Sequence, residues 1–116
     1  GGTQRLAQLL GKGKAFEMIV TADMIGAQEA FRWGLANHVT TQEELLNKCF
    51  EITSKMATKS PTAIKTAIKV INAGYNNNLN GYEVEIEEFG KAFDTKDFKE
   101  GVSAFLEKRK PDFKGE

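Results

Sequence analysis

The sequence is poor in the residues that usually carry covalent or metal chemistry. It contains one cysteine, Cys49, and one histidine, His38, among 116 residues. A single cysteine excludes an internal disulfide, and the pair has no carboxylates at the spacing that would complete a zinc site. We therefore expect no metal site. The low cysteine content is also compatible with a reducing compartment.

Charge of one sign and long apolar runs are missing as well. The 16 basic residues are balanced by 16 acidic ones, so the composition favours no nucleic-acid partner. The longest apolar stretches, such as Met18–Val20, are far shorter than the roughly 20 residues of a membrane-spanning helix. We expect no membrane partner and a cytoplasmic location in a bacterium, with the mitochondrial matrix as the alternative.

Helix signals run almost from end to end, and they predict an all-α chain of about six to seven helices forming a single helical region, residues 1–116. Short helices are expected at Thr3–Leu10, Lys14–Val20 and Ala27–Trp33. Longer ones should start at the capping box Thr41–Glu44, after Ser60-Pro61, near Tyr82 and at Asp94 or Thr95. Thr3 is a plausible N-cap, Gly11 and Gly34 are stops, and Pro111 ends the last helix.

The four later helices each carry an apolar stripe at helical spacing. The stripes are Leu45, Cys49, Ile52 and Met56; Ile64, Ala67, Ile68 and Ile71; Tyr82, Ile86, Phe89 and Phe93; and Phe98, Val102, Phe105 and Leu106. The second of these is predicted to be buried. The acidic residues Glu83, Glu85, Glu87 and Glu88 are predicted to lie on a solvated face, where their carboxylates stay ordinary.

Two lysine-rich segments could be read as phosphate sites. Gly11–Lys14 lacks the spacing of a phosphate-binding loop and a preceding strand, so a turn between helices is the better interpretation. Lys108, Arg109 and Lys110 lie in the predicted final turn of the last helix. They either compensate the helix dipole or bind a phosphate group, and composition alone does not decide between these roles.

Six segments in order resemble the enoyl-CoA hydratase/isomerase (crotonase) family. They are GGTQRL at residues 1–6, MIVTADMIGAQEA at 18–30, WGLAN at 33–37, KSPTA at 59–63, FDTKD at 93–97 and KEGVSAFLEKRKPDF at 99–113. The resemblance covers the entire chain. Gly26 departs from it, because the family often has serine there, and this weakens only a helix cap.

The resemblance implies that this chain is the helical C-terminal region of a longer enzyme whose N-terminal domain, a spiral of ββα turns, is absent from it. In this family the C-terminal region mediates assembly into a trimer or a dimer of trimers. The hydratases add water reversibly to a trans-2-enoyl-CoA with two glutamates that precede GGTQRL. We therefore assign no catalytic residue to this chain and expect the fragment to be inactive. An isomerase or dehydratase parent, or a non-catalytic self-association module, remains the alternative.

The resemblance also implies a peripheral substrate site. Gly1, Gly2 and Thr3 would lie near the acyl pocket, where small residues let a substrate approach the backbone. Phe89 and Lys108 would reach the CoA portion bound by a neighbouring subunit, the lysine pairing with a phosphate. The chain would thus contact an acyl-CoA substrate in a homo-oligomer. No resident cofactor is expected, because in this family the CoA thioester is itself the substrate. Because several of its apolar stripes would then pack on missing partners, the isolated chain is expected to expose apolar patches.

Overall fold

The computed structural model describes residues 2–116, which form seven α-helices and contain no strand. The helices are α1 (Gly2–Leu10), α2 (Lys12–Thr21), α3 (Ala27–Arg32), α4 (Leu45–Ala57), α5 (Pro61–Ala73), α6 (Gly81–Ala92) and α7 (Lys96–Leu106). The all-α prediction is confirmed. The prediction made for Gly1 lies outside the described residues. No described helix is long and apolar enough to span a bilayer.

The chain divides into two compact units: unit 1, which ends at Lys48, and unit 2, Cys49–Glu116. Unit 1 contains α1 packed on α2, followed by α3 and a connector without regular structure. Unit 2 contains most of α4, the packed pair α5 and α6, then α7 and a C-terminal tail, residues 110–116, that has no helical or strand structure.

In unit 1, a single glycine separates the first two helices. Gly11 has a φ of 79°, a left-handed conformation that glycine adopts without a steric penalty, and its N–H donates to the carbonyl of Ala7 at 3.0 Å. The predicted stop is thus confirmed, but the turn is shorter than expected because Lys12 already begins α2. The predicted N-cap at Thr3 is wrong, since α1 begins at Gly2 and Thr3 lies inside it.

The interior of unit 1 is built around small and amphipathic side chains. Ala15 on α2 is buried, and the ammonium group of Lys14 lies 4.3 Å from the ring centroid of Trp33. This cation–π contact links the start of α2 to the C-cap residue of α3. Gly34, with a φ of 77°, then takes the chain out of the helix, as predicted.

The capping box at the start of α4 is present in altered form. The Glu44 N–H donates to the Thr41 hydroxyl, and that hydroxyl donates to the Glu44 carboxylate, both at 3.3 Å. In the predicted box the carboxylate accepts from the Thr41 backbone N–H instead. The regular helix consequently begins one residue after the box, at Leu45.

In unit 2, side-chain caps define where the helices begin. Ser60 caps α5 by accepting from the Ala63 N–H at 3.1 Å, and Pro61 occupies the first helical position, as predicted. Thr95, rather than Asp94, caps α7 by accepting from the Phe98 N–H at 3.1 Å. Each cap satisfies a backbone donor that the helix itself leaves without a partner.

A close approach of two glycines joins α5 to α6. A Cβ added to Gly81 would lie 2.9 Å from the Cα of Gly74, which is closer than real contacts allow. Because the neighbour is backbone, it could not move aside cheaply. The absence of a side chain at Gly81 therefore lets α6 begin close against the end of α5.

The burial predicted for unit 2 is largely wrong. Of the face predicted to be buried on α5, only Ile64 is half-buried, whereas Ala67, Ile68 and Ile71 are exposed. The positions that are buried carry small or polar residues, namely Ser60, Ala73, Glu88, Asp97 and Ala104. The physical reason is that these helices meet through alanine, glycine and hydrogen-bonded groups, so the larger apolar side chains remain outside the contact.

Candidate functional site

A groove of about 450 Å³ runs along unit 2 beside the start of α5, the end of α6 and the length of α7. Its walls are mostly apolar and include Phe98, Val102 and Phe105 from α7 and Phe113 from the tail. Polar groups lie at its edges, with Ser60 and Asp97 in one cluster and Glu88 and Lys91 in another. Apolar walls with a few convergent polar groups are typical of ligand sites.

Asp97 is the centre of the first cluster and is only 3% exposed. The Ser60 hydroxyl donates to its Oδ2 at 2.6 Å and the Thr62 hydroxyl donates to the same atom at 3.2 Å. The N–H groups of Lys114 and Gly115 donate to its Oδ1 at 2.9 and 3.1 Å. One carboxylate thus ties the start of α5 and the tail to the first turn of α7.

These bonds lower the pKa of Asp97 below its ordinary value of 3.8, the largest contribution coming from the Ser60 hydroxyl and smaller ones from the two tail N–H groups and Thr62. Burial acts in the opposite direction but does not prevail. Asp97 therefore stays ionised near neutral pH, with both oxygens occupied. Its chemistry is that of an anchor rather than of a general acid or base.

Glu88 is the centre of the second cluster, and it corrects the prediction of a fully solvated acidic face. It is 8% exposed and accepts from the ammonium groups of Lys69 on α5 and Lys91 on α6, both at 2.9 Å. Both bonds lower the pKa of Glu88, and the bond from Lys69 contributes more than the bond from Lys91. Lys91 also donates to Glu87 at 2.6 Å. The bonds to Glu87 and Glu88 raise the pKa of Lys91 to about 12, and Glu87 makes the larger contribution.

A third carboxylate, Glu100, organises the segment that follows α7. Arg109 donates to it through two nitrogens, Nη1 to Oε1 at 2.6 Å and Nη2 to Oε2 at 2.9 Å. The Asp112 N–H donates to Oε1 at 2.8 Å. The pKa of Glu100 is lowered to about 2. The Arg109 contact makes the largest contribution, followed by the Asp112 N–H. Such a paired geometry is both strong and directional.

No sequence motif marks Asp97, Glu88 or Glu100 as the centre of a site. Asp97 meets its Ser60 partner 37 residues away, and Glu88 meets Lys69 at a separation of 19. No local pattern carries such pairings. The nearest available signal is the cap at Ser60, which identifies the hydroxyl but not the carboxylate that it meets. Within residues 2–116, no group of three or more potential metal ligands comes together.

The residues predicted to contact substrate belong to both units. Gly2 and Thr3 are exposed in the first turn of α1, in unit 1. Phe89 on α6 is exposed, and its ring makes an edge-to-face contact with Phe93 at 5.1 Å between centroids. Lys108 follows α7 in unit 2. Among the described residues, neither Phe89 nor Lys108 lines the groove.

The basic segment after α7 also differs from its prediction. The helix ends at Leu106 with Glu107 as its C-cap, so Lys108, Arg109 and Lys110 lie beyond the last turn. Arg109 pairs with Glu100 and Glu107, whereas no described residue forms an ion pair with the ammonium of Lys108. Pro111 therefore follows the helix end instead of causing it.

Large apolar side chains cover the outer faces of unit 2. On α6, Tyr82, Ile86 and Phe89 are exposed, and on α7 Phe105 is 82% exposed. These belong to the stripes recognised in the sequence, and their exposure agrees with the expected apolar patches. Exposed large apolar side chains at helical spacing, as on α6, are typical of a protein or ligand contact.

Comparison with known proteins identifies the family. The family described as enoyl-CoA hydratase/isomerase matches residues 1–116. This chain belongs to that family. Crotonyl-CoA hydratase of Syntrophomonas wolfei is 43% identical over 114 residues, which cover 97% of this chain and 44% of that protein. Short-chain-enoyl-CoA hydratase of Clostridium acetobutylicum is 43% identical over 111 residues, covering 95% and 42%.

Solved structures of enoyl-CoA hydratases share the fold of this family member. The crystal structure of the Bacillus anthracis enzyme matches with a TM-score of 0.91 at 40% identity, covering 100% of this chain and 45% of that one. The enzyme of Geobacillus kaustophilus matches with a TM-score of 0.90 at 38% identity, covering 100% and 44%. The chain thus spans less than half the length of its relatives and corresponds to their C-terminal part.

Proposed function

We propose that this chain is the C-terminal oligomerisation and substrate-edge region of an enoyl-CoA hydratase, a lyase that adds water reversibly to a trans-2-enoyl-CoA in fatty-acid metabolism. The observation that carries the proposal is the 43% identity, over nearly the whole chain, to two relatives that are named as hydratases. The proposed compartment is the bacterial cytoplasm, with the mitochondrial matrix as the alternative. An isomerase or dehydratase reaction of the parent is the alternative chemistry.

We further propose that the chain alone is inactive. Hydration of an enoyl thioester needs an acid and a base whose pKa values lie near the working pH. The three well-anchored carboxylates of unit 2, Glu88, Asp97 and Glu100, have lowered pKa values and are engaged in hydrogen bonds. This supports a division in which upstream residues supply the chemistry and the described helices supply contacts.

A hydration assay tests this division. The purified chain and a longer form encoded by the same gene would each be mixed with crotonyl-CoA, and loss of the conjugated enoyl thioester would be followed by absorbance. Conversion of a 3-enoyl-CoA to the 2-enoyl isomer, measured in parallel, separates hydratase from isomerase. We expect hydration by the longer form alone. Turnover by the purified chain would contradict the assignment of no catalytic residue.

A second candidate function, favoured by the exposed apolar faces, is self-association without catalysis. Ile86 is 73% exposed on α6, with Tyr82 and Phe89 one turn away on either side. Burying such side chains against a second copy would remove apolar area from water, which is the main driving force of association. A trimer or a dimer of trimers is the proposed assembly, as the family resemblance implies.

Sedimentation analysis of the purified chain over a range of concentrations tests the second candidate. We expect a mass that rises towards three chains, and a shift to the monomer on Ile86→Lys. Glu85→Lys is the matched control, because Glu85 is exposed on the same helix outside the apolar stripe. A monomer at every concentration would exclude self-association of this chain.

A further inference from the structure

Lys108 occupies a backbone position that favours glycine. Its φ is 55°, in the left-handed region, directly after the C-cap residue of α7. The Lys108 N–H donates to the Phe105 carbonyl at 3.3 Å and the Arg109 N–H donates to the Ala104 carbonyl at 3.0 Å. This pair of bonds is a Schellman motif, in which the left-handed residue is usually glycine because a side chain there costs free energy.

The residues on both sides of Lys108 are fixed by ionic contacts. Arg109 makes its two-pronged bond to Glu100, and its Nε donates to Glu107 at 2.7 Å. Glu107 in turn accepts from the Ser103 hydroxyl at 2.8 Å. Since Glu100 also accepts the Asp112 N–H, it is joined to the chain on the far side of the turn. The left-handed conformation is therefore held by its surroundings.

The side chain of Lys108 takes no part in this arrangement. No described residue pairs with its ammonium, although Arg109 and Glu107 on either side pair with each other. A purely structural turn would be more stable with glycine, so a lysine at this position has a cost that its own contacts do not offset. Strained positions held by the surrounding structure are often functional.

We propose that Glu100 is a positioning residue for substrate binding, which fixes the left-handed turn at Lys108 through Arg109 so that the lysine ammonium is presented to a phosphate of the CoA thioester. This rests on the proposed function, from which the CoA contact of Lys108 is taken. Glu100 does not touch the ligand. Its effect on binding passes through the Arg109 side chain to the backbone of residues 107–109.

A double-mutant cycle of Lys108→Gly and Glu100→Gln tests the proposal with two readouts. Thermal melting of the purified chain reports the strain at residue 108. Isothermal titration of the longer form with CoA reports the contact with phosphate, because Lys108 is proposed to reach CoA that a neighbouring subunit binds. Lys110→Gly is the matched control, because it removes the same charge two residues away at a position without a positive φ.

The melting readout tests, without any ligand, whether Glu100 holds the left-handed turn at Lys108. We expect Lys108→Gly to raise the melting temperature in the otherwise unaltered chain, because glycine adopts the left-handed conformation freely. In the Glu100→Gln background this gain should shrink, since the turn can then relax. An equal gain in both backgrounds, or a loss on Lys108→Gly, would overturn the positioning role whether or not CoA binds.

The binding readout tests the ligand. We expect Lys108→Gly to weaken CoA binding about tenfold, as loss of a charge-assisted contact does, and Lys110→Gly to have little effect. Glu100→Gln should weaken binding in the otherwise unaltered longer form but not in the Lys108→Gly background. If Glu100→Gln weakened binding equally in both backgrounds, Glu100 would not act on CoA binding through Lys108, and the proposal would be wrong. Failure of the otherwise unaltered longer form to bind CoA would instead exclude CoA as the ligand, and with it this part of the proposed function.

Discussion

The two units differ in how far apart in sequence their interacting polar side chains lie. In unit 1, the hydrogen bonds of Lys14, Thr21 and Thr41 join residues no more than four positions apart. In unit 2, Asp97 is bonded to Ser60 at a separation of 37 residues and Glu88 to Lys69 at 19. Polar bonds in unit 1 therefore support single helices, whereas those in unit 2 define the tertiary structure.

The difference explains why polar residues are buried in unit 2, namely Ser60, Glu88 and Asp97, while many of its large apolar side chains are exposed. A carboxylate that accepts several hydrogen bonds can fix a segment without regular structure, as Asp97 does for the tail through Lys114 and Gly115. Apolar contact alone lacks that directionality. The large apolar side chains of α6 and α7 are then left for other surfaces, which agrees with the proposed role in assembly.

The largest effect is expected from Asp97→Asn. The substituted amide would place N–H groups against hydroxyl and backbone donors, leaving buried donors without acceptors. We expect this substitution to lower the melting temperature more than any other, with loss of amide-exchange protection in α5, α7 and the tail. Asp94→Asn is the control, because Asp94 is an exposed aspartate just before α7. Fluorescence of Trp33, the single tryptophan, reports the unfolding of unit 1 separately. If unit 1 unfolded in the same transition as unit 2, the contrast between the two units would be contradicted.

Acid should weaken unit 2 next most strongly. The folded-state pKa of Glu100 is about 2, against an ordinary value of 4.5, and that of Asp97 is also lowered. A lowered folded pKa stabilises the fold fully above the ordinary value, and this contribution is lost as pH falls towards the folded value. Stability should therefore decline between about pH 4.5 and 2, and Glu100→Gln should flatten the decline. A melting temperature that is constant over this range would contradict the role of these carboxylates.

A smaller effect is expected where α5 meets α6. Gly81→Ala would bring a Cβ to 2.9 Å from the Gly74 backbone, and the forced shift should destabilise the chain by about 1–3 kcal/mol. Gly90→Ala in the same helix meets nothing within 4 Å and should instead stabilise it by about 0.8 kcal/mol through helix propensity. Chemical denaturation measures both; equal effects of the two substitutions would mean that the glycine contact is not close.

The smallest effect is expected in unit 1. Trp33→Leu removes the cation–π contact with Lys14, which lies 4.3 Å from the ring, and should cost about 0.5–1 kcal/mol. Lys14→Met removes the same contact from the other partner and should lose a similar amount. Denaturation followed by circular dichroism measures both variants. A loss as large as that of Asp97→Asn would show that unit 1, too, depends on a single non-local contact.

The positions of the helices could be read from the sequence because their signals are local. Ser60-Pro61 and Thr95 act within three residues, through a hydroxyl and the next free N–H, and the structure has both caps. Glycine stops such as Gly11 and Gly34 are equally local, since one residue adopts the left-handed conformation. The family, too, could be recognised from ordered segments of the sequence alone.

Burial was decided only by the tertiary structure. The apolar stripe of α6 predicts an inward face, yet Ile86 is exposed and Glu88 is buried, because Lys69 on α5 meets the carboxylate. The left-handed turn at Lys108 is likewise held by a distant partner, because the neighbouring Arg109 pairs with Glu100, nine residues earlier. Periodicity specifies which residues share a face, but which face is buried depends on partners that folding brings together from distant parts of the chain.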